Sequence, residues 1–328
     1  MKKYLLSLFA IFAGIGTMQA VSNNTVEIKY NGNTATVTIA SNIASYITNN
    51  SSGSHVSLVQ SASFAGVNPT TSNSDGEIIY VLSGTSANGE FYLEGSFKCT
   101  VELNGLTLTN PSGPAINIQN GKRVEVSAKS GTTNTLTDGA NDAYNGCFHC
   151  KGHTKFKGKG TLNVVGNSKH AIYSKEYVEV KNLSLNVTAA KKDGIHCKEY
   201  FLMESGTVKI AGVQDDGIQV EQSSDPVTGK TADHEDENSG NFYQEGGTLT
   251  ISGYAGKAVK ADGTITLSGG SRNFTTANTE ENAEVGSIAA ERGAQTVYHL
   301  NGYKANGLVR SGISIVRQAG KTIKKIAK

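Results

Sequence analysis

Short apolar segments recur along this chain and can be aligned in a single frame. Six such segments begin at residues 115, 147, 171, 194, 217 and 258, so their starts lie 32, 24, 23, 23 and 41 residues apart. Insertions around 138–145 and 222–240 account for the two long intervals, which leaves a unit of about 23 residues. One unit of this size cannot bury a core alone, so the repeat predicts a solenoid of stacked coils.

Each unit also contains two further short strands in which apolar and polar residues alternate. Residues 178–180 and 185–187 show this alternation, and it recurs at 201–203 and 208–210 in the next unit. Three strands per coil predict an all-β, right-handed parallel β-helix. The composition, with 38 glycines and four prolines, suits many short strands joined by tight turns.

The sequence divides into five predicted segments. A basic start followed by an apolar run and a small-residue exit predicts a signal peptide at 1–20, and hence an exported protein that is secreted, at the cell surface or in the periplasm. Residues 21–76 are predicted to form an N-terminal β capping region, and 77–275 the parallel β-helix. A linker is predicted at 276–296 and a basic C-terminal segment at 297–328. No stretch after the signal predicts a membrane span.

Charge is unevenly distributed along the chain. From Gly293 onward there are seven basic residues and no acidic residue, whereas residues 21–292 contain 21 basic and 28 acidic residues, a net charge of −7. Nucleic-acid binding depends on basic side chains that neutralise phosphates. The acidic body of the chain therefore argues against a nucleic-acid partner.

The first strand of each coil carries the candidate ligand-binding residues. Alternation directs its apolar positions inward and leaves two columns that face solvent. The candidate contacts in these columns are His149, Lys151, Tyr173, Lys175, His196 and Lys198. Lysines stacked within about 5 Å of one another repel unless an anion offsets their charge. A bound polyanion is one explanation of the three lysines, and a solvated charged face is another.

Three aspartates precede the first strand of two neighbouring coils. Asp193 and Asp216 share one column, and Asp215 adjoins them. Adjacent carboxylates at a turn are hard oxygen ligands suited to Ca²⁺, so we take these three residues as a candidate metal site. Ordinary Asp-Gly turn chemistry explains the same aspartates without a metal. The acidic insertion 222–240 is interpreted as a solvated loop, with a lid or further calcium ligands as the alternative.

The four cysteines fit the solenoid as core residues. Cys150 and Cys197 belong to an inward column two coils apart, about 9 to 10 Å, which is beyond the reach of a disulfide. We therefore predict that they are small buried residues. A disulfide between Cys99 and Cys147 remains open at this stage.

Several blocks along the solenoid have the order and spacing of a known family. They include His-Ala-Ile-Tyr-Ser-Lys at 170–175, Lys-Asp-Gly-Ile at 192–195, Asp-Asp-Gly-Ile at 215–218 and Lys-Ala-Asp-Gly at 260–263. With these blocks the chain resembles the bacterial right-handed β-helix carbohydrate-binding domain first described for cellulose and acidic-sugar binding in a cellulolytic clostridium. The resemblance covers residues 77 to 275 approximately.

The resemblance implies a β-helix that binds polysaccharide, prefers uronic-acid polymers and carries Ca²⁺ at aspartate-rich turns. By position, the aspartates of the Asp-Gly-Ile motif are Asp193 and Asp216. His170 and Lys257 stand at the equivalent place in neighbouring coils, which limits the expected metal sites to one or two. The segment 297–328 is similar to short sorting motifs of Bacteroidetes exported proteins and implies a cell-surface or secretion-system partner, although a basic strand hairpin explains it equally simply.

Three functions from different classes follow. The first is non-catalytic, Ca²⁺-dependent binding of an acidic glycan through the residues named above. The second is a polysaccharide lyase, in which Ca²⁺ acidifies the proton beside a uronate carboxylate and Lys198 removes it. The third is an adhesin or rigid surface spacer with a protein partner. The absence of tryptophan argues against a flat aromatic platform for crystalline cellulose.

Overall fold

The computed structural model describes residues 21–64, 76–224 and 237–276, together with the strand backbones at 296–298, 304–305, 312–318 and 321–327. The predicted signal peptide and nearly all of the predicted linker lie outside these residues. In the part of the chain that is described, no helix is long and apolar enough to cross a membrane. A short 3₁₀ helix spans Ala44–Tyr46.

The described residues are built almost entirely from short β-strands. The first half contains β1 (Thr25–Asn31), β2 (Thr34–Ile39), β3 (Ile47–Asn49), β4 (His55–Gln60), β5 (Ile78–Ser86), β6 (Glu90–Gly95), β7 (Cys99–Asn110), β8 (Ile116–Asn120), β9 (Val124–Ala128), β10 (Thr133–Asp138), β11 (Gly146–Cys150), β12 (Thr154–Gly158), β13 (Thr161–Gly166), β14 (His170–Ser174) and β15 (Val178–Lys181). The second half contains β16 (Ser184–Ala190), β17 (Ile195–Lys198), β18 (Tyr200–Met203), β19 (Thr207–Val213), β20 (Ile218–Glu221), β21 (Asn241–Gln244), β22 (Thr248–Tyr254), β23 (Val259–Ala261), β24 (Ile265–Leu267), β25 (Ser271–Thr275), β26 (Thr296–Tyr298), β27 (Lys304–Ala305), β28 (Gly312–Gln318) and β29 (Lys321–Ala327).

Most strands pair in parallel with the strands of the coils before and after them. A nine-stranded sheet runs β23-β20-β17-β14-β11-β8-β6-β4-β3, and we call it the first sheet. A 16-stranded sheet contains two further columns, β24-β21-β18-β15-β12-β9 and β10-β13-β16-β19-β22-β25, which are joined through β7. The all-β class and the long parallel sheets are confirmed, and they fit a β-helix or solenoid.

The predicted inward column of the first sheet is confirmed by the strand register. Phe148 pairs with Ile116 and Ile172, and the series continues through Ile195 to Ile218. All five side chains are fully buried. Apolar residues stacked at one position of successive coils thus form a continuous core along the solenoid axis.

Pairing between consecutive coils follows a constant offset in the middle of the solenoid. Ile172 pairs with Ile195 in the first sheet. Val178 pairs with Phe201 in the second column, and Leu185 pairs with Val208 in the third. Any side chain in these coils therefore lies directly beside the one 23 residues further along the sequence.

The N-terminal strands join the same sheets rather than standing apart. β1 pairs in parallel with β5, and β4 pairs in parallel with β6. The antiparallel strands β2 and β3 pair only with β1 and β4 respectively among the described strands. Parallel pairing therefore begins before residue 77, the boundary expected from the sequence.

The C-terminal strands form a separate four-stranded antiparallel sheet with the order β27-β26-β28-β29. β28 and β29 make a hairpin in which Gly312 pairs with Ala327. This backbone arrangement agrees with the strand hairpin given as one of the two explanations for the basic segment. Its role in sorting remains a prediction.

The cysteines occupy the core, as the repeat predicted for Cys150 and Cys197. All four cysteines are free thiols and fully buried. The open possibility of a Cys99–Cys147 disulfide is therefore not realised. Burial raises the pKa of the Cys150 thiol to about 11, which keeps it protonated.

Candidate functional site

A column of aromatic and imidazole rings lies on the outer side of the first sheet. The register of β11, β14 and β17 places Tyr173 between His149 and His196. Its ring centroid lies 5.2 Å from that of His149 and 5.5 Å from that of His196. Three of the six predicted ligand contacts are thus in direct ring contact across successive coils.

The three predicted lysines follow the same strands at the next outward position. Lys151 and Lys175 are exposed, and Lys198 is half-buried. The ammonium nitrogen of Lys198 lies 3.8 Å from a carboxylate oxygen of Glu221, which pairs with it in the next coil. The lysines therefore flank the ring column on its C-terminal side, and Lys198 is in an ion pair.

Asp193 is fully buried beside the ring column and contacts two imidazoles. Its Oδ2 atom lies 2.9 Å from Nδ1 of His196 and 3.1 Å from Nδ1 of His170. Its Oδ1 atom accepts a hydrogen bond of 3.0 Å from the N–H of Asp216. Both carboxylate oxygens are thus engaged within the protein.

The contacts of Asp193 decide its charge. Burial alone would raise its pKa, but the two imidazoles and the N–H of Asp216 outweigh burial and hold the pKa well below the usual range. Burial lowers the pKa of His170, because desolvation there exceeds the effect of Asp193. The cluster therefore holds one carboxylate that remains ionised against two rings.

The predicted metal ligands are brought together by the fold. Asp193, Asp215 and Asp216 each offer a carboxylate oxygen, and these atoms lie within 4.8 Å of one another. Asp216 Oδ1 accepts a hydrogen bond of 2.6 Å from the N–H of Lys257, and its Oδ2 lies 3.4 Å from Nζ of Lys260. Asp215 is exposed, and partial burial and the two neighbouring carboxylates raise its pKa.

The donor set fits Ca²⁺ through two of the three aspartates. Oδ2 of Asp216 is buried and forms a 3.4 Å ion pair with Lys260 in place of a well-aligned hydrogen bond, and Asp215 beside it is open to solvent. Hard carboxylate oxygens of this kind suit Ca²⁺. Asp193 joins them only if its Oδ2 is shared with the imidazoles. The backbone hydrogen bonds of Asp193 and Asp216 also agree with the alternative of ordinary turn chemistry.

Glycine follows Asp193 and Asp216 for a steric reason. A Cβ atom on Gly194 would lie 2.7 Å from the carbonyl oxygen of Gly217 and 2.6 Å from Cγ2 of Ile210. Gly217 meets the next coil in the same way, at 2.5 Å from the carbonyl oxygen of Ala258. The close stacking of coils at this corner therefore requires glycine at 194 and 217, directly after two of the aspartates.

One predicted contact differs from the expectation that outward residues face solvent. His196 is buried, because Asp193 and His170 cover one edge of its ring and Glu221 lies 3.4 Å from its Nε2. A ligand reaches it only at the border of the column. His149 and Tyr173 remain half-buried and border the surface.

Sequence reasoning missed a second cluster at the other end of the same strands. Nε2 of His153 lies 2.9 Å from Oε2 of Glu176 and 3.3 Å from Oε2 of Glu199. The three residues are spaced by 23 positions, which is the offset between paired coils. Extending the repeat frame beyond the first strand would have found them.

Comparisons with known proteins agree with this architecture. A family model described as "Carbohydrate-binding domain-containing protein" matches residues 68–309, about three quarters of the chain. A search of curated proteins finds no match.

A solved structure described as a polysaccharide lyase-like protein from C. thermocellum, a gadolinium derivative, superposes with a TM-score of 0.56. It is 18% identical in sequence, and the alignment covers 75% of this chain and 99% of that chain. At this identity the likeness concerns the fold alone. The family match, which spans most of the solenoid, shows that this chain belongs to the family of carbohydrate-binding domain-containing proteins.

Proposed function

We propose that this chain is a non-catalytic polysaccharide-binding protein whose ligand lies along the outer side of the first sheet. Membership of a carbohydrate-binding family supports a polysaccharide partner. The observation that carries the proposal is the ring column His149–Tyr173–His196, because rings stacked on successive coils offer a sugar chain a row of apolar ring edges and polar atoms.

We further propose that the ligand is acidic. Lys151 and Lys175 are exposed beside the ring column, on a body that is otherwise acidic. Carboxylates of a uronate-containing chain would offset the repulsion between the stacked ammonium groups. The ring column contributes little charge on the His149 side, since burial and then Lys151 lower the pKa of His149 to about 4.

His149 then contacts the glycan as a neutral ring. Its buried Nδ1 atom has no hydrogen-bond partner among the described residues. If the ring of His149 turned to expose this nitrogen, a hydroxyl group of a bound sugar would satisfy it, and a ligand with a donor at that place would bind more tightly. We propose that His149 helps to select the orientation of the chain, while the lysines supply the preference for charge.

Calcium dependence is the second part of the proposal. Asp215 and Asp216, with Asp193 behind them, would hold Ca²⁺ at the N-terminal edge of the first sheet. An ion there supplies positive charge that a glycan carboxylate can share. The exposure of Asp215 and the buried Oδ2 of Asp216 support this placement.

A polysaccharide lyase is the alternative, because the solved structure with the shared fold is described as lyase-like. The base expected for that reaction was Lys198. Its Nζ atom lies 3.8 Å from a carboxylate oxygen of Glu221, so an anionic substrate would have to approach this nitrogen past an acidic side chain. This contact favours binding without cleavage. An adhesin or spacer remains the alternative if no glycan is bound.

An exported protein would be suited to a role with extracellular polymers. The pattern of residues 1–20 is that of a signal peptide, and we propose that the protein acts outside the cytoplasm, secreted or at the cell surface. The basic hairpin of β28 and β29 is proposed to engage a cell-surface or secretion-system partner.

Affinity electrophoresis tests the proposal directly. The protein would be run through gels containing polygalacturonate or a neutral glucan, in Ca²⁺ and in chelator, with ultraviolet absorbance of the mixture followed in parallel. We expect retardation by polygalacturonate that weakens in chelator, without any rise in absorbance. A rising absorbance that stops in chelator would show unsaturated products and establish the lyase.

A matched pair of variants locates the site. Lys175→Ala should lower affinity for polygalacturonate about fivefold, as expected for one lost charged contact worth about 1 kcal/mol. Lys209→Ala removes an exposed lysine from β19, on another column, and should leave retardation unchanged. Equal effects of the two variants, or no retardation by any glycan, would contradict the proposed face.

A further inference from the structure

The cluster of His153, Glu176 and Glu199 lies at a different corner of the solenoid from the ring column. Glu199 directly follows β17, whereas Asp193 precedes it, and a strand of four residues spans about 13 Å. The proposed glycan face uses none of the three residues. Each of them comes from a different coil, so they meet only because the coils stack.

This cluster has two carboxylate oxygens but only one ring nitrogen between them. Oε2 of Glu176 and Oε2 of Glu199 are buried, and neither accepts a well-aligned hydrogen bond from the described residues. Both atoms face Nε2 of His153, at 2.9 and 3.3 Å. One ring nitrogen carries at most one proton, and one N–H cannot point at two carboxylates together. The Oε2 atom of the second carboxylate is therefore left without a donor from this ring.

The ring of His153 is held in place for this contact. It stacks on Tyr177 with centroids 4.1 Å apart and an interplanar angle of 13°, and Tyr177 stacks in turn on Tyr200 at 4.7 Å. Tyr177 and Tyr200 are fully buried. The aromatic stack thus fixes the direction in which Nε2 points, which is the kind of preorganisation that metal-ligating histidines show.

We propose that His153, Glu176 and Glu199 bind a divalent transition metal ion of the zinc class. Imidazole nitrogen and carboxylate oxygen are ordinary ligands of Zn²⁺, with bonds of about 2.0 to 2.2 Å, so tetrahedral ligand atoms stand about 3.3 to 3.6 Å apart. The three ligand atoms here already lie within 4.8 Å of one another. Small side-chain adjustments would centre an ion among them, and water would complete the coordination.

An ion in this position would cross-link three successive coils. Stability in a solenoid depends on contacts between neighbouring coils, so an ion shared by three of them should oppose their separation. It would also replace the single proton with two positive charges opposite two carboxylates. The proposal concerns stability and is independent of glycan binding.

The test uses the untagged, chelator-treated full chain and Zn²⁺ alone. Equilibrium dialysis should retain one Zn²⁺ per chain at this site, and Zn²⁺ should raise the melting temperature. Glu199→Gln keeps the shape of the side chain and should weaken Zn²⁺ binding by more than roughly tenfold. His153→Gln should abolish binding. Co²⁺ in place of Zn²⁺ should give visible d–d absorption that disappears in both variants.

His170→Gln is the matched control, because His170 belongs to the other histidine-carboxylate cluster. It should retain Zn²⁺ and the Co²⁺ spectrum at this site. Loss of the ion in His170→Gln with retention in His153→Gln would assign the metal to the other cluster and overturn the proposal. Failure of the parent protein to retain Zn²⁺ or to gain stability would overturn it as well. Circular dichroism in chelator identifies a variant that fails to fold, and Glu199→Gln then decides.

Discussion

Two clusters at opposite ends of β17 combine histidine and carboxylate in inverse proportion. In one, a single carboxylate, Asp193, lies between His170 and His196. In the other, a single ring, His153, lies between Glu176 and Glu199. The first cluster is fully buried, and the second is half-buried.

The comparison shows that the ratio of imidazoles to carboxylates determines which group of a cluster is charged, even when the residue types are similar. Two rings stabilise one ionised aspartate, so the pKa of Asp193 is lowered although burial opposes this. At the second cluster burial lowers the pKa of His153, but Glu176 and Glu199 outweigh burial and raise it to about 9. In each cluster the single group, Asp193 or His153, is held in its charged form by the two groups that face it.

The largest expected effect is a difference in how much each cluster contributes to the free energy of unfolding. Asp193→Ala should destabilise the protein by about 3 kcal/mol, since it removes a buried charge from two rings and one backbone N–H. Glu176→Ala should cost about 1 kcal/mol, because the site is partly exposed and Glu199 still faces His153. Urea unfolding in chelator measures both. Equal losses would show that the clusters do not differ in the way described.

The second effect concerns pH and should be of intermediate size. A pKa raised from 6.5 to about 9 means that the stabilisation by His153 is fully present below pH 6.5 and is lost as the pH rises through 9. The loss should be about 2 kcal/mol. Thermal unfolding in chelator between pH 6 and 10 would show it, and His153→Gln should flatten the profile. A parallel decline in this variant would contradict the assignment.

The smallest expected effect would separate a role in glycan binding, at the ring column, from a role in stability, at the His153 cluster. Tyr173→Leu should lower glycan affinity about fivefold, because a stacking contact contributes about 1 kcal/mol, and should change the melting temperature little. Tyr177→Leu, in the stack of the second cluster, should lower the melting temperature and leave glycan affinity unchanged. Affinity electrophoresis and thermal unfolding of both variants measure this. If Tyr177→Leu lowered glycan affinity and Tyr173→Leu did not, the ligand would lie at the His153 cluster and not at the ring column.

The period of the repeat made most of the solenoid predictable. Stacking by register follows from apolar positions alone, and it predicts Tyr173 beside His149 and His196, as the strand pairing confirms. The family resemblance made the carbohydrate class predictable, and the family match supports it. The start of parallel pairing was not predictable, because residues 21–64 carry alternation without the repeat.

Side-chain contacts at the corners were beyond the sequence argument. Alternation assigns a direction along a strand, but it says nothing about residues such as Asp193 that stand at a bend between strands. The burial of His196 results from such a corner residue and its coil neighbour His170. The cluster at His153 obeys the same offset of 23 residues, but it lies beyond the first strand, where alternation no longer assigns the directions of side chains.

The buried thiols have a consequence for how this solenoid can be studied. Cys99 lies in β7, Cys147 and Cys150 in β11, and Cys197 in β17, so the sulfur atoms are distributed along the length of the molecule. Each is protonated and shielded, and a thiol reagent can modify it only after the surrounding coils open. Cysteine labelling rates, resolved by mass spectrometry, therefore report at which end the protein begins to fray, without any introduced probe.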